Sequence, residues 1–142
     1  MPNDHVTPDA LSPEDQRSIS AVLIDYASGI DRRDWARFER CFTPDCLAEY
    51  GDFGTWNSAR EITDFMREAH APLGTTLHRI TNIAIEPCAE GAEARCYVDA
   101  LLLPADAGGA VHRGIGSYDD ILVRYARGWH IARRTFHGAV IY

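Results

Sequence analysis

The stretch "YASGIDRRDW" (residues 26–35) ends an apolar helical stripe on an acid, Asp31. A carboxylate is disfavoured at a helix C-terminus, where the backbone carries partial negative charge. Asp31 is therefore either a solvated surface acid or a group held in place for chemistry. His78 stands in "TLHRITNIAIE" (76–86), the first run with a two-residue period. An imidazole beside a carboxylate accepts a proton near neutral pH, while the carboxylate sets its tautomer and stabilises the imidazolium. Such a pair abstracts an acidic C–H next to a carbonyl or hydroxylated ring. Loss of water or halide then completes an elimination; proton return elsewhere completes an isomerisation. Taken singly, Asp31 reads as a surface acid and His78 as a strand-surface or satisfied core histidine.

Other residues could complete such a site. Tyr26 lies on the helical stripe, either as a core tyrosine whose hydroxyl needs a partner or as a group that polarises a substrate oxygen. Tyr50 reads the same way in a short strand. Arg133 and Arg134 are adjacent in the last strand, so one points to each face. An inward arginine must be paired or functional. Arg134 would hold an anionic group or stabilise an enolate, unless local twist leaves both on the surface. Asp99 is either a cavity-facing proton carrier, raised in pKa by desolvation, or a cross-strand partner for an arginine. His112 and Tyr118 are further substrate-binding candidates, and Tyr118, which precedes two acids, reads to either face.

These residues need elements to position them. "SPED" opens a helix, with Ser12 as N-cap and Pro13 at the first helical position. Ile19, Val22, Leu23, Tyr26 and Ile30 follow on one helical face. A second helix is expected over about 34–42, capped by Asp34 and stopped by "TPD" at 43–45. A short extended piece follows at 47–50. Ser58 and Glu61 form a capping box for a third helix, 59–70, with Ile62, Phe65 and Met66 inward. Strands are then expected at 76–86, 92–103, 111–125 and 129–142. In the first, Leu77, Arg79, Thr81, Ile83 and Ile85 alternate against His78, Ile80, Asn82 and Ala84. Gly114 and Gly116 suggest a bulge or bend. Helices first and long antiparallel strands after define an α+β class.

Bulk properties narrow the function. A chain of 142 residues with 46% apolar content suits one domain with a core and a pocket, placed at 12–142 behind a loose arm at 1–11. The net charge of −7, with no basic stripe, argues against a nucleic-acid partner. Cys41, Cys46, Cys88 and Cys96 form no C-x-x-C pair, and the histidines show no H-x-H or H-x-x-x-H spacing, so no metal is expected. There is no Gly-rich phosphate loop and no G-x-S-x-G motif, and no cofactor is expected. The N-terminus lacks the regions of a signal peptide, and no apolar run is long enough to span a membrane. A cytoplasmic protein with reduced thiols is the expectation.

With these elements and residues in view, the chain resembles the nuclear transport factor 2-like superfamily, more narrowly its SnoaL-like branch. That branch includes scytalone dehydratase, bile-acid 7α-dehydratase and hexachlorocyclohexane dehydrochlorinase. The stretches "YASGIDRRDWARFERCFTPD", "LHRITNIAIE" and "GWHIARRTFHGAVIY" carry the resemblance, which covers about residues 12–142. It implies a cone-shaped α+β barrel, a strongly curved mixed sheet around three helices with a deep apolar cavity. It implies Asp31 and His78 facing each other inside, joined by Tyr26, Tyr50 and Arg134. Ile30 departs from scytalone dehydratase, which has a tyrosine there, and His112 is the nearest candidate for that enzyme's second histidine. The implied function is a cofactor-independent lyase, above all a dehydratase, or an isomerase acting on a small, mostly apolar cyclic substrate. A polyketide-type cyclase, a ligand-binding module and a dioxygenase β-subunit-like structural protein remain alternatives. A homodimer or homotrimer is implied, for which "DALLL" (99–103) would supply a contact.

Overall fold

The computed structural model describes residues 10–142, so most of the arm expected at 1–11 lies outside the described residues. Helix α1 (Pro13–Asp31) begins as its sequence dictates. Ser12 accepts the Asp15 N–H, and the Asp15 carboxylate accepts the Ser12 N–H, each at 3.0 Å. This reciprocal cap satisfies two of the helix's free donors. Ile19, Leu23, Tyr26 and Ile30 are buried along the stripe. Helix α2 (Trp35–Arg40) is capped by Asp34, which accepts the Arg37 N–H at 3.1 Å. Gly29 lets the two helices meet: a Cβ there would lie 3.0 Å from the backbone nitrogen of Phe38.

Strand β1 (Phe42–Glu49) corrects one expectation. The "TPD" segment does not separate helix from strand; it lies within the strand. Pro44 sits where the register with the last strand breaks, between Phe42 and Leu47, so its missing N–H costs no ladder bond. A 3₁₀ turn (Gly51–Phe53) and the two-residue β2 (Thr55–Trp56) lead to α3 (Ala59–His70). Ser58 caps α3 as expected, accepting the Glu61 N–H, while Glu61 reaches back to the N–H of Asn57 rather than Ser58.

Strands β3 (Leu73–Cys88), β4 (Gly91–Pro104), β5 (His112–Tyr125) and β6 (Gly128–Ile141) complete a six-stranded sheet in the order β2-β1-β6-β5-β4-β3. Neighbours pair antiparallel except β1 and β6, which are parallel, so the sheet is mixed. Helix α1 packs on β3 and β6, and α3 on β1, giving the α+β cone.

Two of this sheet's register shifts bear on expectations from the sequence. In β3 the pairing with β4 slips between Thr81 and Ala84, where Asn82 takes a left-handed backbone, φ 53°. Asparagine tolerates that conformation better than most residues. The extra residue flips the inward set. Thr76, His78 and Ile80 face the core before the bulge, and Ile83 and Ile85 pack against it afterwards, so the single alternation expected across 76–86 does not hold. Leu77, expected on the face of Ile83 and Ile85, is 51% exposed. In β5 the register with β6 slips between Ile115 and Gly116, close to the glycines that suggested a bend.

Gly116 is required by close approach: a Cβ there would lie 2.2 Å from the carbonyl oxygen of His137. Gly116→Ala should destabilise the fold by at least about 2 kcal/mol. Gly108→Ala, with nothing within 4 Å of the added carbon, should stay within about 0.5 kcal/mol of the parent. Urea unfolding of the two variants checks this.

Candidate functional site

Asp31 is the last residue of α1, and its carboxylate points at β3. Its Oδ1 accepts from the His78 ring Nδ1 at 2.6 Å and from the Thr76 hydroxyl at 2.9 Å, and its Oδ2 accepts the His78 backbone N–H at 2.7 Å. Thr76 and His78 are two apart in a strand, which puts both side chains on one face. Arg33, held in a left-handed backbone at φ 55°, donates to the Thr76 hydroxyl and to the carbonyls of Ile30 and Gly74. This clamps the end of α1 to the start of β3. Burial opposes the charge on Asp31, but the bonds from the His78 ring, the His78 backbone and Thr76 together hold its carboxyl below the ordinary value. A carboxylate only accepts, so Nδ1 of His78 carries a proton in this contact, and in the neutral ring the lone pair is then on Nε2.

His78 belongs to the wall of a cavity of about 420 Å³. Phe65, Met66, Val98, Ala100, Leu102 and Phe136 make much of the lining apolar. Three tyrosines add a polar cluster. Tyr26 and Tyr50 share a hydrogen bond of 2.8 Å, and the Tyr118 hydroxyl donates to Tyr26 at 3.3 Å. Three hydroxyl protons and two mutual bonds leave one proton over, so the cluster offers a donor to whatever fills the cavity. Burial pushes Tyr50 and Tyr118 well above the usual phenol value, so both stay protonated.

Arg134 faces inward, as one of the adjacent arginines must, but it does not line the cavity. Its Nε and Nη2 donate to the two oxygens of Asp120 at 2.8 and 2.7 Å, with both side chains fully buried. Burial pushes the Asp120 carboxyl up, and the bidentate contact with Arg134 opposes that rise. The guanidinium lies over the rings of Tyr26 and Tyr118, 4.2 and 3.8 Å from their centroids. The expectation that Arg134 holds a substrate anion is therefore corrected: Asp120 already occupies it, and its charge reaches the cavity through two phenol rings.

Asp99 lies outside the cavity. It is the cross-strand partner of Arg79 and Arg113, with contacts of 2.9 to 3.1 Å, and the Arg113 guanidinium holds its carboxyl below the ordinary value rather than above it. His112 and Tyr118 both line the cavity, His112 as an exposed residue. A second depression, about 490 Å³, includes the outward residues Glu86, Glu93, Arg95 and Arg133 and none of the predicted site residues. The four cysteines are free thiols.

Sequence reasoning missed Thr76, Asp120 and His70. Two-residue spacing from His78 signals Thr76. His70 continues the four-residue spacing of Ile62 and Met66, a histidine on an apolar helical face. Its Nδ1–H donates to the Met66 carbonyl at 2.8 Å, and its ring centroid lies 5.7 Å from that of His78.

The fold and these residues define an α+β cone with an imidazole–carboxylate pair at a mostly apolar cavity. Residues 12–135 match the SnoaL-like domain, and the chain belongs to that family, within the nuclear transport factor 2-like superfamily. It is 28% identical over 124 residues to the uncharacterized protein Rv2910c of Mycobacterium tuberculosis, covering 85% of this chain and 83% of that one. Solved structures share the fold, among them the following two. One, from Novosphingobium aromaticivorans and provisionally named a scytalone dehydratase, has a TM-score of 0.81 at 20% identity, covering 89% of this chain and 85% of its own. A type 2 hexachlorocyclohexane dehydrochlorinase, LinA, has a TM-score of 0.74 at 18% identity, covering 89% and 86%. No helix among the described residues is long and apolar enough to cross a membrane.

Burial lowers the His70 pKa from 6.5 to about 4. Its folded value lies below its unfolded one, so between them the unfolded chain binds more protons, and stability falls as pH drops through that window. The wild type should lose on the order of 2 kcal/mol more than His70→Leu between those two pH values. Urea unfolding of both proteins across that range measures the difference.

Proposed function

We propose that the chain is a cofactor-independent lyase or isomerase acting on a small, mostly apolar cyclic substrate, with dehydration as its first chemistry. The observation that carries this reading is the 2.6 Å contact of Asp31 with Nδ1 of a histidine that lines the cavity. In the proposed reaction, His78 Nε2 takes a proton from a carbon next to a carbonyl or hydroxylated ring. Asp31 stabilises the imidazolium as it forms. The C–H electrons become the new double bond, the C–O bond breaks, and the departing oxygen takes the spare proton of the tyrosine cluster. Return of the His78 proton to that cluster resets the site. Proton return to another carbon gives isomerisation instead.

Arg134 assists at one remove. A cation over a phenol face draws electron density from the ring and makes its hydroxyl a better donor. Tyr50, bonded to Tyr26, is the proposed contact to the leaving oxygen. The dehydratases that the chain resembles share the spacing of Tyr26 and Asp31, which favours water as the leaving group.

The test does not require the natural substrate. In D₂O, the wild type should speed exchange of the C–H next to the carbonyl in a panel of cyclic β-hydroxy-ketones, followed by NMR, with enone absorbance reporting water loss. His78→Gln should cut the exchange rate by about 10²–10⁴-fold. Tyr50→Phe should slow water loss more than exchange. Exchange that survives His78→Gln, or no exchange with the wild type across the panel, contradicts the proposal.

A further inference from the structure

Arg33 stands in a left-handed backbone at φ 55°, a conformation that glycine or asparagine adopts more readily than arginine. A strained residue that persists points to a task for its side chain. Arg33 spends its donors on one hydroxyl and two carbonyls. Nη1 donates to the Thr76 hydroxyl at 2.8 Å and to the Ile30 carbonyl at 2.7 Å, and Nη2 donates to the Gly74 carbonyl at 2.8 Å.

These partners fix the direction of the Thr76 hydroxyl. A guanidinium only donates, so the Thr76 oxygen accepts from Arg33. A carboxylate only accepts, so the one Thr76 proton goes to Asp31 Oδ1, 2.9 Å away. Thr76 is 1% exposed, so this bond is closed to bulk water. The same Oδ1 takes the His78 ring proton at 2.6 Å, while Oδ2 takes the His78 backbone N–H at 2.7 Å. The terminal torsion of an aspartate is broad, so the side chain does not set the angle of its own carboxylate. The donors around it do.

We infer that Thr76, with its hydroxyl aimed by Arg33, is a positioning residue that sets the angle of the Asp31 carboxylate, so that Oδ1 meets Nδ1 of His78. This deepens the proposed function and rests on its reading of His78 as the base. Thr76 does not line the cavity. Its contribution therefore falls on the step that His78 performs and not on the affinity for a ligand.

The first readout needs no substrate: the ring ¹⁵N shifts of His78 at about pH 8, which report its tautomer. Thr76→Val keeps the size and loses the hydroxyl. It should raise the share of Nε2-protonated ring above that of the wild type, and Thr76→Ser should return the wild-type share. Arg33→Gly relieves the strained backbone and should still move the shifts in the direction of Thr76→Val. The second readout is deuterium exchange of the cyclic β-hydroxy-ketone that the wild type exchanges fastest. Thr76→Val should lower kcat about tenfold with KM held within about twofold, and Thr76→Ser should recover most of that loss. A wild-type tautomer and kcat in Thr76→Val overturn the inference and leave the proposed function standing. A loss in Thr76→Ser as large as in Thr76→Val, or a rise in KM at unchanged kcat, overturns it too. If the wild type exchanges no ketone of the panel, yet the His78 tautomer moves in Thr76→Val and not in Thr76→Ser, the positioning role stands and the proposed function falls.

Discussion

Asp31 accepts hydrogen bonds from the Thr76 hydroxyl, the His78 backbone and the His78 ring, all from one side of β3. Through them the end of the first helix is joined to the first long strand, 47 residues further along the chain at His78. The contact answers the electrostatic problem of an acid at a helix C-terminus. The backbone dipole disfavours the charge, but two side-chain donors and one backbone donor hold it, and Arg33 polarises Thr76 from behind. The same carboxylate that closes the fold fixes the tautomer of the imidazole at the cavity. Structure and proposed chemistry depend on one set of bonds.

Around that contact the cavity wall and the layer behind it hold groups that a purely structural core would omit. A fully buried guanidinium is expensive, and apolar replacements of buried ion pairs are often no less stable. Here Arg134 and Asp120 sit beneath Tyr26 and Tyr118, whose hydroxyls bind each other and, through Tyr26, bind Tyr50. His70 adds a buried unpaired nitrogen, on a ring whose centroid lies 5.7 Å from that of His78. Local departures from the rules of a well-satisfied core collect on one cavity, which is where function is expected to produce them.

The legible part of this arrangement was the part encoded by period and residue type. The stripe from Ile19 to Ile30 and the caps at Ser12, Asp34 and Ser58 act locally, so α1, α2 and α3 could be read from a few residues each. The pairing of Asp31 with His78 could be anticipated from an acid at a helix end, a histidine in the first strand and the family resemblance. What could not be read was set by sheet geometry. The bulge at Asn82 reverses the inward face of β3, and nothing in a two-residue alternation announces it. Pro44 looked like a stop because its place in a broken register is a property of β6 as much as of β1. Arg134 had to face inward if Arg133 faced out, but its partner on the neighbouring strand depends on the register of β5 against β6. His70 escaped because its spacing also fits ordinary core packing.

The central claim is that Asp31 holds His78 with its proton on Nδ1 and its Nε2 lone pair available at the cavity. The direct measurement is the ring ¹⁵N shifts of His78 at about pH 8, where a neutral imidazole shows its tautomer. Labelled histidine in the wild type and Asp31→Ala, with His78→Gln to assign the signal, provides the comparison. The account predicts an Nδ1-protonated ring in the wild type and a shift toward the Nε2-protonated form when the carboxylate is removed. An Nε2-protonated ring in the wild type, or a tautomer indifferent to Asp31→Ala, would contradict it.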